Sequence, residues 1–250
     1  MWPYPKVVAH RGGGKLAPEN TLAAMRCGFE HGFRAVEFDV MLASDGVAIL
    51  MHDEHLGRTV AGTGDVSTYP SAALTAMDAG SWFGPQFAGE PVPLFADIAR
   101  YCKEHGIWMN VEIKPVPGYE EQTGAAAAQV IAEIFGADIA AGVPARQLPL
   151  FSSFSFVAVQ AAQRTLPQVP RAWLVDTVPA DWQARLAELD AVALHTNHKN
   201  LTAELARAVK AAGYGLFCYT VNDLERAAEI RRWGVDGFCT DRIDLIPADF

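Results

Sequence analysis

Short apolar, β-prone runs recur along the chain, and each ends in polar residues. They cover residues 7–10, 35–39, 108–112, 148–152, 172–175, 191–195, 216–220 and 237–240. Ala-rich stretches of helical period lie between most of them, for example 21–29, behind the cap-like Glu19-Asn20-Thr21, and 201–212. Several helical stretches stop at a glycine, as in His31-Gly32, His105-Gly106, Ala212-Gly213 and Trp233-Gly234. Strands that are nearly continuous in apolar residues and alternate with helices form a parallel sheet covered by those helices. Eight such units predict a closed (β/α)8 TIM barrel of α/β class, with an open doubly wound sheet as the alternative.

One apolar run breaks the alternation. Residues 47–51 follow the second strand after only Ser44-Asp45-Gly46. A parallel crossover needs about a dozen residues or more, so this run returns antiparallel, as a β-hairpin. A turn centred near Asp45 sets His52 roughly opposite Asp39, back at the rim where the second strand ends. From 53 to 93 no period is visible, and the segment is rich in Gly, Pro and aromatics, including Ala79-Gly-Ser-Trp-Phe-Gly84. Connections of that length are usually functional, which predicts a cap over the barrel mouth, inserted in one domain spanning 1–250. A plain structural insertion is the other reading.

The strand ends carry the candidate chemistry, because barrels of this kind place reacting groups where strands give way to loops. His10-Arg11, Glu37, Asp39, His52-Asp53, Glu112, Lys114, Ser152-Ser153-Phe154, His195, Tyr219-Thr220 and Thr240-Asp241 fall there. Glu37 and Asp39 are two apart on a strand and so share a face, as do Glu112 and Lys114. Three carboxylates on one rim repel one another unless a cation sits among them, and oxygen-only ligation suits one Mg²⁺ or Ca²⁺ better than Zn²⁺. Ion pairs alone, Glu112 with Lys114 or Arg11, are the competing reading.

With Arg11 and Lys114 the three carboxylates leave a formal −1, and a divalent cation turns it to +1, suited to one phosphodiester anion. His10 and His52 flank the cluster and could divide acid and base work near neutral pH. His31 and His105 sit before helix-ending glycines and need only a capping role. His195 and His198 are spaced so that they could share a metal, although a structural or pocket-lining role is the simpler expectation for them.

The net charge of −9 argues against nucleic acid or an anionic membrane as a main partner, so the positive rim matters for any anionic substrate. The first residues lack the marks of a secretory signal, and no apolar run approaches the roughly 20 residues of a membrane span. Cys27, Cys102, Cys218 and Cys239 lack metal-type or redox spacing and read as buried thiols of a cytoplasmic protein. Oligomeric state is not legible.

Val8-Ala-His-Arg-Gly-Gly13, Pro18-Glu-Asn-Thr21, Val36-Glu-Phe-Asp-Val40, His52-Asp53, Val111-Glu-Ile-Lys-Pro115 and Thr220-Val-Asn222 resemble, in order along the whole chain, the signature of the glycerophosphodiester phosphodiesterases. The start, from Trp2-Pro-Tyr-Pro5 through Lys15-Leu-Ala-Pro-Glu-Asn20, and Asn197-His-Lys199 are similar to cytosolic bacterial members of that family. The resemblance implies a phosphatidylinositol-phospholipase-C-like barrel that hydrolyses small glycerophosphodiesters, such as those of choline or ethanolamine, to glycerol 3-phosphate and an alcohol.

It also implies that Glu37, Asp39 and Glu112 hold the metal and that Arg11 and Lys114 bind the phosphate. His10 and His52 would be the acid–base pair. Phe154, His195 and Tyr219, read off the strand ends, are expected to line the substrate pocket. Tyr219 stands where the family often has Trp, Ser155 where Glu is common, and Arg242-Ile243 in place of a frequent Asp-x-Pro ending, departures that bear on substrate preference. A phospholipase acting on intact lipid and a non-catalytic phosphate-binding barrel are the rival readings.

Overall fold

The computed structural model describes residues 2–250. Its strands are β1 (Val7–Ala9), β2 (Ala35–Leu42), β3 (Ala48–Leu50), β4 (Trp108–Ile113), β5 (Leu150–Ser153), β6 (Arg171–Val175), β7 (Ala193–Asn197), β8 (Gly215–Tyr219) and β9 (Gly237–Thr240). The helices are α1 (Leu22–Glu30), α2 (Ser71–Leu74), α3 (Phe95–Glu104), α4 (Glu120–Ala140), α5 (Phe156–Thr165), α6 (Trp182–Glu188), α7 (Ala203–Ala211) and α8 (Leu224–Arg232). The sheet runs β1-β9-β8-β7-β6-β5-β4-β2-β3, and a further β1–β2 pairing closes it. Every neighbouring pair in the ring is parallel, so the fold is the expected TIM barrel. All the helices except α2 serve as crossovers.

β3 is the strand outside the ring. It pairs antiparallel with the end of β2, with Val40 opposite Leu50 and Leu42 opposite Ala48. β2 is long enough to serve both neighbours on one edge, β1 at Val36 and β3 beyond Val40. The hairpin forms as its short loop requires, with one refinement of register. Met51, not His52, lies against Asp39, its N–H donating to the Asp39 carbonyl at 3.2 Å, and His52 is the next residue out.

Strand residues alternate between a helix-facing and an inward side. Val36, Phe38, Val40, Met109, Val111 and Ile113 belong to the outer core under the helices. Val8, Ala35, Trp108, Leu150, Ala172, Ala193, Phe217 and Cys239 form the inner core. The floor of the barrel is closed by the N-terminal segment, where Trp2 stacks on Phe217 at 5.6 Å and Tyr4 on Trp108 at 4.8 Å.

Residues 53–93 carry a small core of their own, in which Leu56, Val60, Val66, Leu74 and Val92 pack with Met41, Ile49 and Met51 of the hairpin. The segment has almost no regular structure, because its apolar residues follow no period. His31 and His105 bond through Nδ1 to the Cys27 and Tyr101 carbonyls, the helix-ending role expected of them. No two cysteines are paired among the described residues. Within them no helix is long and apolar enough to cross a membrane.

Candidate active site

Inward-facing residues at the C-terminal ends of β1, β2 and β4 build the site. Asp39 and Glu112 are paired neighbours across β2 and β4, and Glu37 lies one layer deeper, opposite Asn110. Each of Glu37, Asp39 and Glu112 offers an oxygen within 4.8 Å of the other two. Burial and the charge of Asp39 push Glu37 up to about 7, although His10 opposes the rise. Burial, with Asp39 and Glu37 beside it, lifts Glu112 well above the usual carboxylate range. Burial would raise Asp39 too, but Lys114 and Arg11 outweigh it and hold its pKa below the ordinary value. A buried cluster that its own charges destabilise, made only of hard oxygen donors, fits a divalent cation.

The cluster is braced from the β1–α1 loop. Asn20 donates through Nδ2 to Asp39 at 2.8 Å, and its Oδ1 accepts from the Asp39 N–H at 3.1 Å. Arg11 takes a left-handed φ of 50°, which directs its N–H to Glu37 Oε2 at 3.1 Å. Such a conformation is uncommon for a residue with a side chain and tends to occur at functional sites. Its guanidinium reaches Glu19 at 2.7 Å and lies 3.5 Å from Asp39. Lys114, just past β4, sits 3.6 Å from the other Asp39 oxygen.

Both histidines are oriented by carboxylates. His10 Nδ1 lies 2.6 Å from Asp241 Oδ1, and His52 Nδ1 lies 2.6 Å from Asp53 Oδ1. An ionised carboxylate only accepts, so each Nδ1 carries the proton and each Nε2 is the free nitrogen. His10 Nε2 lies 3.7 Å from Glu37. Burial lowers the His10 pKa, but the bond to Asp241 and the charge of Glu37 carry it above the ordinary value. His52 is held below its ordinary value by burial, with Arg11 and Lys114 adding to the effect against Asp39. Asp241 in turn accepts from Asn222 at 2.7 Å, and Asp53 from Arg58 at 2.6 and 3.0 Å. Arg58 continues to Glu19, which extends a charged chain to Arg11.

The expected pocket residues divide. Phe154 is exposed on the rim and packs edge to face on Tyr219 at 5.8 Å, whose hydroxyl donates to the Val175 carbonyl at 3.0 Å. His195 is not at the rim. β7 runs on to Asn197, so His195 faces inward one layer lower, its ring 4.7 Å from Phe217 and 6.1 Å from Trp2. Burial drops its pKa to about 3, and its Nε2 has no hydrogen-bond partner. With Glu37, Glu112, Phe217 and Tyr219 it lines a small cavity of about 40 Å³. His198 points elsewhere and accepts from Arg226 at 3.2 Å, so the two histidines share nothing. Ser155, one of the departures, caps α5 by accepting from the Ala158 N–H.

Asp241, a strand-end candidate, and Glu19 and Asn222, both within the family signature, were given no task in the sequence reading, and Arg58 was not singled out. Glu19 and Asn20 lay inside a helix-cap pattern that masked them, and Asn222 and Asp241 come from distant parts of the chain. A larger depression of about 360 Å³ lies around Ile107, Trp108 and Pro149, at the opposite end of the barrel strands from these groups.

Residues 10–245 match the pattern of the Glycerophosphoryl diester phosphodiesterase family. A glycerophosphodiester phosphodiesterase of Caldanaerobacter subterraneus is 31% identical over 94% of this chain and 93% of its own length. Another from Bacillus subtilis is 30% identical over 95% of this chain and 84% of its own. Among solved structures, an Oleispira antarctica phosphodiesterase in complex with the product sn-glycerol-3-phosphate superposes with a TM-score of 0.88, at 36% identity, over 95% of this chain and 93% of that one. The braced carboxylates, the paired cations and the two histidines thus stand on a backbone and a sequence shared along nearly the whole chain, which belongs to the glycerophosphoryl diester phosphodiesterase family.

Proposed function

We propose that this protein hydrolyses small glycerophosphodiesters to glycerol 3-phosphate and an alcohol, with His10 and His52 as the proton-transferring pair. The observation that carries this reading is the pair of carboxylate-oriented histidines beside a three-carboxylate cluster with two cations next to it. Glu37, Asp39 and Glu112 would hold one Mg²⁺ or Ca²⁺. When bound, such an ion supplies a Lewis acid for a phosphoryl oxygen and a fixed point for the attacking group.

Arg11 and Lys114 stabilise the negative charge that builds on the phosphoryl oxygens, a preorganised arrangement because both are already tied to buried carboxylates. His10 Nε2, on the carboxylate side, accepts the proton of the nucleophile, either the glycerol 2-hydroxyl or water. His52, whose Asp53 is held by Arg58 on the cap, returns a proton to the leaving alcohol. Each transfer contributes roughly 10²–10⁴-fold. Bound ligands move both groups toward these tasks. With Glu37 committed to a cation, the charge that raises His10 is cancelled, and a phosphodiester anion beside His52 raises its affinity for a proton. The 53–93 segment acts as the cap of the barrel mouth, and the unpaired cysteines fit a cytoplasmic setting.

Release of glycerol 3-phosphate from glycerophosphocholine, compared with hydrolysis of phosphatidylcholine vesicles, tests the reading. The soluble diester is the expected substrate, and His10→Ala should abolish its turnover. A preference for vesicles would establish the phospholipase alternative. No turnover of either substrate, with unchanged substrate binding by His10→Ala, would leave only a phosphate-binding barrel.

A further inference from the structure

We infer that Arg58, carried on the cap, is a positioning residue for the leaving-group half of the reaction, fixing Asp53 and through it the His52 imidazole against the barrel. This rests on the diesterase reading and on His52 as the donor to the leaving alcohol.

The two histidines are oriented by carboxylates that are anchored differently. Asp241, which holds His10, directly follows β9 and accepts from Asn222, which lies just past β8. That support belongs to the barrel alone. Asp53, which holds His52, lies beyond the end of β3 on backbone without regular structure. Its carboxylate is partly exposed, and apart from His52 its one hydrogen-bonding partner among the described residues is Arg58. A short side chain on such backbone has several staggered positions, and the bond to His52 Nδ1 needs one of them held.

Arg58 supplies that hold from both edges of its guanidinium. Nε donates to Asp53 Oδ2 at 2.6 Å and Nη2 to Oδ1 at 3.0 Å. On the other side Nη1 donates to Glu19 Oε2 at 2.8 Å and Nη2 to Oε1 at 2.7 Å. Pairing two-pronged on both edges leaves the planar group one orientation, which a lone exposed ion pair does not. Nη2 thus stands between the oxygen that accepts from His52 and the oxygen that accepts from Arg11. Both ends of the link are firm. Glu19 precedes Asn20, whose side chain is bonded to Asp39, and Arg58 sits on a turn closed by the Gly57 N–H on the Val60 carbonyl at 2.8 Å. Leu56 and Val60, on either side of that turn, pack in the core of the cap. The Arg58 bonds, ahead of that from His52, hold Asp53 well below the usual carboxylate range, so it stays a pure acceptor and Nε2 stays the working nitrogen. The support of His52 is therefore complete only with the cap in place, whereas Arg11 has its own bond to Glu19.

Two diesters of glycerol 3-phosphate, assayed on metal-loaded protein, separate this role from general damage. The methyl diester releases an alkoxide that needs a proton, whereas the p-nitrophenyl diester releases a phenolate that does not. In Arg58→Gln, kcat for the methyl diester should fall roughly 10²-fold and that for the p-nitrophenyl diester only a few-fold, with KM little changed for either. Asp53→Asn should behave alike, and the double variant should lose no more than about the larger single loss, because the two residues act as one unit. Guanidinium salt should restore methyl-diester turnover to Arg58→Ala, since Arg58 lines an open cleft of about 610 Å³, whereas sodium at equal ionic strength should not. Ring-nitrogen NMR of ion-free protein gives a reading independent of turnover: one His52 tautomer, Nδ1–H, in the wild type and a mixture in Arg58→Gln. Equal losses on both diesters, losses that multiply in the double variant, or an unchanged tautomer would overturn the assignment while leaving the diesterase standing. A wild type that hydrolyses neither diester would instead remove the diesterase reading, and this role with it.

Discussion

Asp241 and His10 lie 231 positions apart and meet at 2.6 Å, because β9 and β1 are neighbours in the closed ring. The contact fixes the imidazole by its Nδ1 and leaves Nε2 toward Glu37. Asp241→Asn keeps the shape but loses the charge that selects this tautomer, so kcat should fall by roughly 10²-fold or more, with KM and metal affinity little changed. Stopped-assay kinetics beside a metal titration would read this, and an unaltered kcat would remove Asp241 as a positioning residue.

His195 makes a second residue-scale prediction. Its folded pKa of about 3 lies below the ordinary 6.5, so the unfolded chain binds more protons between those values. Stability contributed by the neutral ring is complete above about pH 6.5 and is lost as the pH falls toward 3, at up to about 1.4 kcal/mol per pH unit. His195→Leu should flatten the fall of Tm between pH 6.5 and 4. An unchanged slope would show that other groups govern it.

At the scale of elements, the loop after β1 is shaped by close approach. A Cβ on Gly14 would collide with the Asp241 carbonyl, and φ +54 adds strain, whereas Gly46 at φ +78 in the hairpin turn has nothing within 4 Å. Gly46→Ala should therefore cost about 1 kcal/mol and leave activity intact. Gly14→Ala should cost more than about 2 kcal/mol and depress turnover, because it pushes β1 and Asp241 apart. Urea unfolding of the two variants makes the comparison, and equal costs would contradict it.

The elements themselves were legible. Near-continuous apolar strands, glycine-ended helices and a three-residue loop too short for a crossover were enough for the barrel and its hairpin. The end of β7 was not. Of the run 191–195 only residues 193–195 belong to the strand, whose tail Thr196-Asn197 continues the ladder, and this shift moves His195 from rim to interior. The 53–93 segment was legible only as an exception, since it packs through scattered apolar residues without a period.

Across the whole molecule, the acidic net charge of −9 hides a rim where Arg11, Lys114, Arg58 and Lys15 gather. Same-face spacing placed Glu37 with Asp39 and Glu112 with Lys114, and the parallel pairing of β2 with β4 is what joins the two sets. Asp53 and Asp241 were named among the strand-end candidates, but their histidine-orienting role was not legible, for opposite reasons. Asp53 stood beside its partner without an assigned task, and Asp241 stood at the far end of the chain. Ring closure and the ties among Glu19, Arg58 and Asp53 are long-range facts that no local pattern encodes.

The central claim is that three carboxylates hold one divalent cation required for diester hydrolysis. A titration of chelated protein with Mg²⁺ and with Ca²⁺ tests it most directly. Ion binding and release of glycerol 3-phosphate should be followed together in the wild type, Glu37→Gln and Asp39→Asn. The account predicts that activity disappears on chelation, returns with one bound ion, and is largely lost in both variants together with ion affinity. Full turnover under chelation, or normal ion affinity in both variants, would contradict it.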